Sequence, residues 1–263
     1  MKNSLALNPL KSVKQGQVWQ LGKHRLLVGD AMDPTLVGVL MNGMKIDAIV
    51  TDPPYGVRYV ESKEGIATPK KNKVIKNDDI TDEPAYQKFS EAWLRVAIPH
   101  LAKKNVVYIF NCDKMLFALR EAMRSCGIYF SQLVVWVKNQ ATLARKDYAP
   151  QHELILYGWH GTHIFRKAKD KSVLFFPKPH KSAAHPTIKP RVLVSHLILN
   201  ATSIGGVVYD PFLGSGTAIY ASERTGRVCY GVEIEVEYAE GILRQFERMT
   251  GQVPVLVYET NEG

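Results

Sequence analysis

Asp52-Pro53-Pro54-Tyr55 follows directly on an apolar run, Ile46–Thr51, and its residue types suit the holding of an amine. Proline fixes φ and donates no N–H, so the backbone carbonyls of such a turn stay available as acceptors. The Asp52 carboxylate and the Pro53 carbonyl can together accept both hydrogens of an exocyclic –NH2, with the Tyr55 ring stacked on the ring that carries it. An aryl amine is a poor nucleophile because its lone pair is delocalised. Two acceptors on its N–H bonds favour a pyramidal nitrogen and aim the lone pair at an electrophile. The same tetrapeptide also fits a plain proline turn with a surface acid and tyrosine.

A second group is Tyr209-Asp210-Pro211-Phe212-Leu213-Gly214-Ser215-Gly216-Thr217. Its glycines permit a tight turn and close approach of backbone to a ligand. Leu213, Ser215 and Thr217 break the G-x-G-x-x-G dinucleotide pattern, and no Gly-Lys-Ser/Thr follows as in a phosphate loop. Leu213 also stands where a G-x-S-x-G elbow needs its first glycine. What remains is a glycine turn with an acid at its entrance, suited to a small cationic ligand or serving only as a turn. Gly231-Val232-Glu233 comes next, with Glu233 19 residues past Gly214. An acid there, at the next strand's tip, can bind ribose hydroxyls; an acid favoured by a helix dipole has the same signature.

These groups need strands to carry them. The apolar pattern predicts strands at 25–28, 46–51, 106–110, 129–137, 153–157, 206–209 and 228–232. It predicts helices at 34–41, 84–101, 114–125, 191–200, 216–225 and 236–250. Strands alternating with helices of this length imply an α/β domain with one doubly wound, mostly parallel sheet covered on both faces. All three groups then fall at strand carboxyl ends, where such sheets open onto a ligand crevice. Asp33-Pro34, Glu83-Pro84 and Lys189-Pro190 fit helix starts, so an Asp-Pro pair in this chain is not by itself a site. Residues 1–15 read as an arm outside the core, 56–82 as a long mobile loop, and 158–190 lack clean periodicity.

At 263 residues, with 46% hydrophobic and 22% charged residues, the chain has ordinary globular proportions, which exclude collagenous, coiled-coil and disordered classes. Cys112, Cys126 and Cys229 show no CxxC spacing, which argues against a zinc ribbon or a disulfide framework and for a reducing cytosol. No run approaches ~18 apolar residues, and the first residues lack the apolar core of a signal peptide; a cytoplasmic protein with no membrane partner is expected. The net charge is +9, and of the 34 Lys and Arg eleven lie between Lys138 and Arg191 against three acids. Basic residues interleaved with Tyr148, Trp159, Phe165, Phe175 and Phe176 suit a phosphate-binding surface or a solvated basic face. Five of the eight histidines share that segment, but His160-Gly161-Thr162-His163 has no third ligand at a diagnostic spacing, so no metal site is expected.

Taken in order, these groups resemble the β-type S-adenosylmethionine-dependent amino-methyltransferases, which act on adenine N6 or cytosine N4 in DNA. Asp52-Pro53-Pro54-Tyr55 resembles the catalytic signature and Asp210-Pro211-Phe212-Leu213-Gly214-Ser215-Gly216-Thr217 the cofactor loop, with the catalytic motif first, as in the β-type permutation. Trp19–Asp30, with its Gly29-Asp30 element, Tyr148–Leu156, and His185-Pro186-Thr187-Ile188-Lys189-Pro190 are similar to further family elements. The resemblance runs from about Trp19 to Met249.

It implies a Rossmann-like methyltransferase fold over residues 16–263, S-adenosylmethionine as cofactor, and base flipping before methyl transfer to adenine N6 in DNA. It implies that Asp52 and Pro53 hold the amine while Tyr55 stacks on the base, with Pro54 in the same catalytic tetrapeptide. Asp210, Phe212, Gly214, Ser215, Gly216 and Thr217 would cradle the cofactor and Glu233 its ribose, with Asp30, Thr187 and Lys189 on its rim, Lys189 at the carboxylate. Lys70, Lys71, Lys73, Lys138, Arg145, Lys146, Arg166, Lys167, Lys169 and Lys171 would contact the nucleic-acid backbone, and residues 158–184 form a short target-recognition insertion. That shortness points to a short or relaxed recognition sequence. Cytosine N4 in DNA and adenine N6 in RNA are the rival substrates, since the basic surface does not separate RNA from DNA. A binding protein without catalysis would have lost Asp52 or the glycine turn. A homodimer is common in the group, and a solitary, phage-associated enzyme fits the Trp19–Asp30 phrase.

Overall fold

The computed structural model describes residues 12–55, 80, 82–142, 147–167, 169–178 and 188–260. Strands are β1 (Val18–Leu21), β2 (His24–Val28), β3 (Ile46–Thr51), β4 (Leu101–Asn111), β5 (Ile128–Val137), β6 (His152–His160), β7 (Val173–Phe175), β8 (Val207–Asp210), β9 (Val228–Glu233) and β10 (Val255–Tyr258). Helices are α1 (Pro34–Met41), α2 (Glu83–Ala97), α3 (Leu116–Ser125), α4 (Arg191–Ala201), α5 (Thr217–Thr225) and α6 (Val236–Thr250). The ten strands form one sheet in the order β10-β1-β2-β9-β8-β3-β4-β6-β5-β7. Its middle, β2-β9-β8-β3-β4, is parallel throughout. Antiparallel pairs extend it on either side, β1 with β2 and β10, and β6 with β4 and β5.

The parallel middle is what the alternation of strands and helices demands. β3 shows why: Ile49 packs with α1, α2 and α3 on one face, whereas Ala48 and Val50 pack with α4 on the other. Adjacent residues of a strand point to opposite faces, so a strand covered on both reads as a continuous apolar run. On that second face α5 and α6 cover β2 through Ile219, Ile242, Leu243 and Phe246 against Leu26 and Val28. Trp19, Trp93 and Trp136 are fully enclosed; trimming such a ring to Ala costs about 3–5 kcal/mol.

Helix ends obey local chemistry. Asp33 caps α1, its carboxylate accepting from the Thr35 and Leu36 amides at 2.8 and 3.0 Å. Asp82 does the same for α2 through Ala85 at 2.9 Å. Arg25, buried in β2, donates to the carbonyls of Val39 and Leu40 at the end of α1, where a cation complements the helix dipole. His24 ties three elements: its Nδ1 accepts from the Cys229 amide at 2.9 Å, and its Nε2 lies 2.7 Å from Glu223 of α5. Accepting at Nδ1 requires the proton on Nε2, so the ring donates to Glu223 as the neutral tautomer. Burial pushes its pKa down, in agreement.

The structure departs from the sequence expectations at the sheet's margins. β1, β7 and β10 carry only three or four residues each, too few for a periodic signal. Residues 12–15 are not an arm: Val13 is buried among Trp19, Leu21 and Phe246, and Gln15 donates to the Ile234 carbonyl. The helix expected to reach 101 ends at Ala97, passes through a single tight turn at Ile98–His100 and enters β4, which starts five residues before its expected position. The expected insertion at 158–184 begins inside β6 and contains β7, and residues 179–184 of it lie outside the described residues. Of the loop expected at 56–82, residues 56–79 and 81 lie outside the described residues, and Asp82 belongs to α2 as its cap. Among the described residues no helix is long and apolar enough to cross a membrane.

Candidate active site

The chain leaves β3 and β8 in opposite senses, β3 leading by way of α2 to β4 on one side and β8 through α5 to β9 on the other. The two strands are neighbours, so the crevice between their carboxyl ends is the switch point where open α/β sheets bind ligands. Thr51 closes it, donating from Oγ1 to Asp210 Oδ1 at 2.7 Å. The Asp52 turn and the glycine turn, 158 positions apart, thereby share one crevice.

On the glycine side the backbone does the holding. Leu213 donates to the Val232 carbonyl at 2.9 Å and Gly216 to the Leu213 carbonyl at 2.8 Å, which folds 211–216 onto the tip of β9. Gly216 sits at φ +77°, and a Cβ there would lie 2.9 Å from Ile242 Cγ1; both facts require glycine. Glu233 accepts from the amides of Gly214 (2.7 Å) and Glu235 (2.8 Å). Asp210 accepts from Thr51 and from the Phe212 amide at 3.1 Å. Burial pushes both acids up to about 7. Asp30, at the tip of β2, accepts from the Met32 amide at 2.9 Å, and Gly29 donates to the Glu233 carbonyl at 3.0 Å, so Asp30 and Glu233 share a rim. Phe212 packs edge-on against Trp93 and obliquely on Phe89 of α2, and the hydroxyls of Ser215 and Thr217 lie 3.0 Å apart.

On the other side side chains do the holding. Tyr55 donates to Asp52 Oδ1 and Lys189 to Asp52 Oδ2. Lys189 Nζ also lies 3.1 Å from Glu153 Oε2, and Glu153 Oε1 lies 2.8 Å from Lys138 Nζ. Lys189 further donates to the Tyr55 hydroxyl at 3.4 Å and sits 5.1 Å from the centroid of the Phe110 ring. Burial pushes the Asp52 carboxyl up against the pull of Lys189, while the two ammoniums hold Glu153 below its usual range despite burial.

Asp52, Pro53, Pro54, Tyr55, Lys189, Asp210, Phe212, Gly214, Ser215, Gly216, Thr217, Glu233 and Asp30 therefore border one crevice. Lys138 is a correction: its side chain is 6% exposed and its charge is committed to Glu153, so it is not a surface phosphate contact. Arg166, Lys167, Lys169 and Lys171 are exposed but lie elsewhere. The Arg166 backbone amide donates to the Asn200 carbonyl near the end of α4, whose start adjoins Lys189, and Lys167 pairs with Asp170. Lys70, Lys71, Lys73, Arg145, Lys146 and Thr187 lie outside the described residues. Glu153 is the site residue that sequence reasoning missed. Its signal was an acid inside Tyr148–Leu156 and within a strongly basic segment. Among the described residues no group of three or more His, Cys, Asp or Glu could hold a metal ion.

A glycine turn beside a switch point, with carboxylates on three adjacent strand tips, is suited to a nucleotide-type ligand on an α/β sheet. Solved structures share that fold: the complex of M1.HpyAVI with S-adenosylmethionine (TM-score 0.62, 24% identity, 84% of this chain and 98% of that one) and the cytosine-N4-specific PvuII DNA methyltransferase (0.66, 14%, 89% of each). The type II methyltransferase M.HpaI of Haemophilus parainfluenzae is 27% identical over 220 residues, 74% of this chain and 66% of its own length. The N6/N4 DNA methylase family model matches residues 46–244, and the chain belongs to that family. S-adenosylmethionine is the methyl donor of such methylases. The crevice fits it: Asp210, Glu233 and Asp30 stand around the turn on adjacent strand tips, a donor set suited to a sulfonium and to ribose hydroxyls.

Proposed function

We propose that the protein transfers a methyl group from S-adenosylmethionine to the N6 amine of adenine in DNA, after flipping the base from the stack. The observation that carries this reading is the Thr51–Asp210 link, which sets the amine-accepting turn against the glycine turn in one crevice. When bound, the cofactor supplies an electrophilic methyl on a cationic sulfur. Glu233 and Asp30 would take its ribose side, and the 210–217 turn its methionine side. Asp52 and the Pro53 carbonyl would hold the target amine with its lone pair aimed across the crevice, and Tyr55 would stack on the base. Fixed by Tyr55 and Lys189, the Asp52 carboxylate would act without reorganising at the moment of reaction. The exposed Arg166, Lys167, Lys169 and Lys171 are proposed as backbone contacts of the flanking DNA, weakening with salt.

Adenine is favoured by the Asp at the head of the tetrapeptide, which resembles the adenine enzymes. Mass spectrometry of nucleosides after incubation with labelled S-adenosylmethionine tests the proposal, with unmethylated DNA, RNA and a D52A variant in parallel. Labelled N6-methyladenine in DNA, lost in D52A, is the expected result. Label on cytosine N4 or in RNA overturns the substrate and keeps the residue roles.

A further inference from the structure

Asp52 can accept from an amine on either oxygen only as a carboxylate, yet its surroundings oppose ionisation. Its side chain is only 23% exposed; desolvation and the nearby Glu153 on β6 disfavour its charge, and its charge in turn opposes that of Asp210 at the end of β8. Among the described residues, Tyr55 and, on α2, Tyr86 with Cys112 behind it are further titratable groups near Asp52. Among the described residues the cation in contact with Asp52 is Lys189. Lys189 is 9% exposed, directly precedes α4 with its backbone fixed by Pro190, and reaches Glu153 as well as Asp52. Glu153 in turn is shared with Lys138. The chain Lys138–Glu153–Lys189–Asp52 joins three segments distant in sequence, and its charges sum to zero. A buried array of this kind is costly unless each member is paired, and removing one strands the rest.

We infer that Lys189 is a positioning residue of the transfer reaction: anchored by Glu153, its ammonium holds Asp52 as the ionised acceptor of the target amine, while Lys138 balances Glu153. The inference rests on the function proposed above and differs from the cofactor-rim role that the resemblance implies for Lys189. A rim residue acts on cofactor affinity; a residue that sets the charge of Asp52 acts on the acid side of the turnover profile.

The test is methyl transfer to duplex DNA at saturating substrates across a pH range, for wild type, K189M, K189Q and K189R. Cofactor affinity is measured by calorimetry and folding by thermal melts. In a neutral variant the acid limb of kcat is expected to move up by about one unit or more, the size of an adjacent-charge effect. Cofactor Kd should change by less than about threefold, under 1 kcal/mol, and K189R should keep the limb in place. Either neutral variant suffices if the other does not fold. An unmoved limb in a folded neutral variant overturns the inference, as does a Kd weakened about tenfold or more with kcat unchanged. An inactive wild type overturns the proposed function itself, whereas an active one with an unmoved limb overturns only this inference.

Discussion

The two banks of the crevice hold their acids by different means. Asp210 and Glu233 are held by neutral donors: backbone amides of the glycine turn and one threonine hydroxyl. Asp52 and Glu153 are held by buried ammoniums. Neutral donors orient a carboxylate but leave its charge uncompensated, so burial raises both acids on the first bank to about 7. On the other bank the ammoniums hold Glu153 below its usual range, while burial still pushes Asp52 up against the pull of Lys189. The distinction matches the roles proposed above, in which a cofactor bearing a positive sulfur would meet the first bank and a neutral amine the second.

The sharpest way to break this comparison is to remove a charge from the self-compensated bank. Glu153→Gln leaves Lys138 and Lys189 without their shared counter-ion and should cost about 3–5 kcal/mol of stability, read as a shift of the urea midpoint; a change under ~1 kcal/mol would show that the array is not a unit. Asp52→Ala should lower kcat about 10²–10³-fold while leaving cofactor Kd near the wild-type value, which calorimetry checks.

On the uncompensated bank the expectation is a pH effect. The folded pKa values of Asp210 and Glu233, about 7, lie above their ordinary values. The native state thus binds more protons than the unfolded chain between about pH 4 and 7, and these groups lower stability as pH rises through that window. S-adenosylmethionine prefers the ionised acids, so its thermal stabilisation should grow as pH rises through 7; a flat response would place the sulfonium elsewhere. The smallest effect is Asp33→Ala, which removes the α1 cap at a cost of about 1 kcal/mol with methyl transfer unchanged, separating an Asp-Pro pair that starts a helix from one that builds a site.

That pair of Asp-Pro steps also marks what sequence reading can reach. Asp33 and Asp52 look alike locally, and the residues after them make the difference: helix α1 after the first, no helical turn through Tyr55 after the second. The runs at 34–41, 46–51 and 236–250 were legible to the residue, the first from its Asp-Pro start, the second from a short apolar run and the third from a long amphipathic period. Short strands such as β7 exist only because β5 offers them an edge. Lys138 read as surface because it sits in a basic segment, but Glu153 on the adjacent strand β6 pairs with its ammonium and neutralises it.

By itself the sequence determined the alternation of strands and helices, the placing of Asp52, the glycine turn and Glu233 at strand ends, and the resemblance their order carries. Those depend on local periodicity and on residues needed for a turn or an acceptor. Only the tertiary structure decided that β3 and β8 are neighbours at a switch point, that Lys189 turns to Asp52 and Glu153, and that Lys138 is inside. Each depends on which strand lies beside which, and the pairing of buried charges from segments far apart in the chain has no local signature.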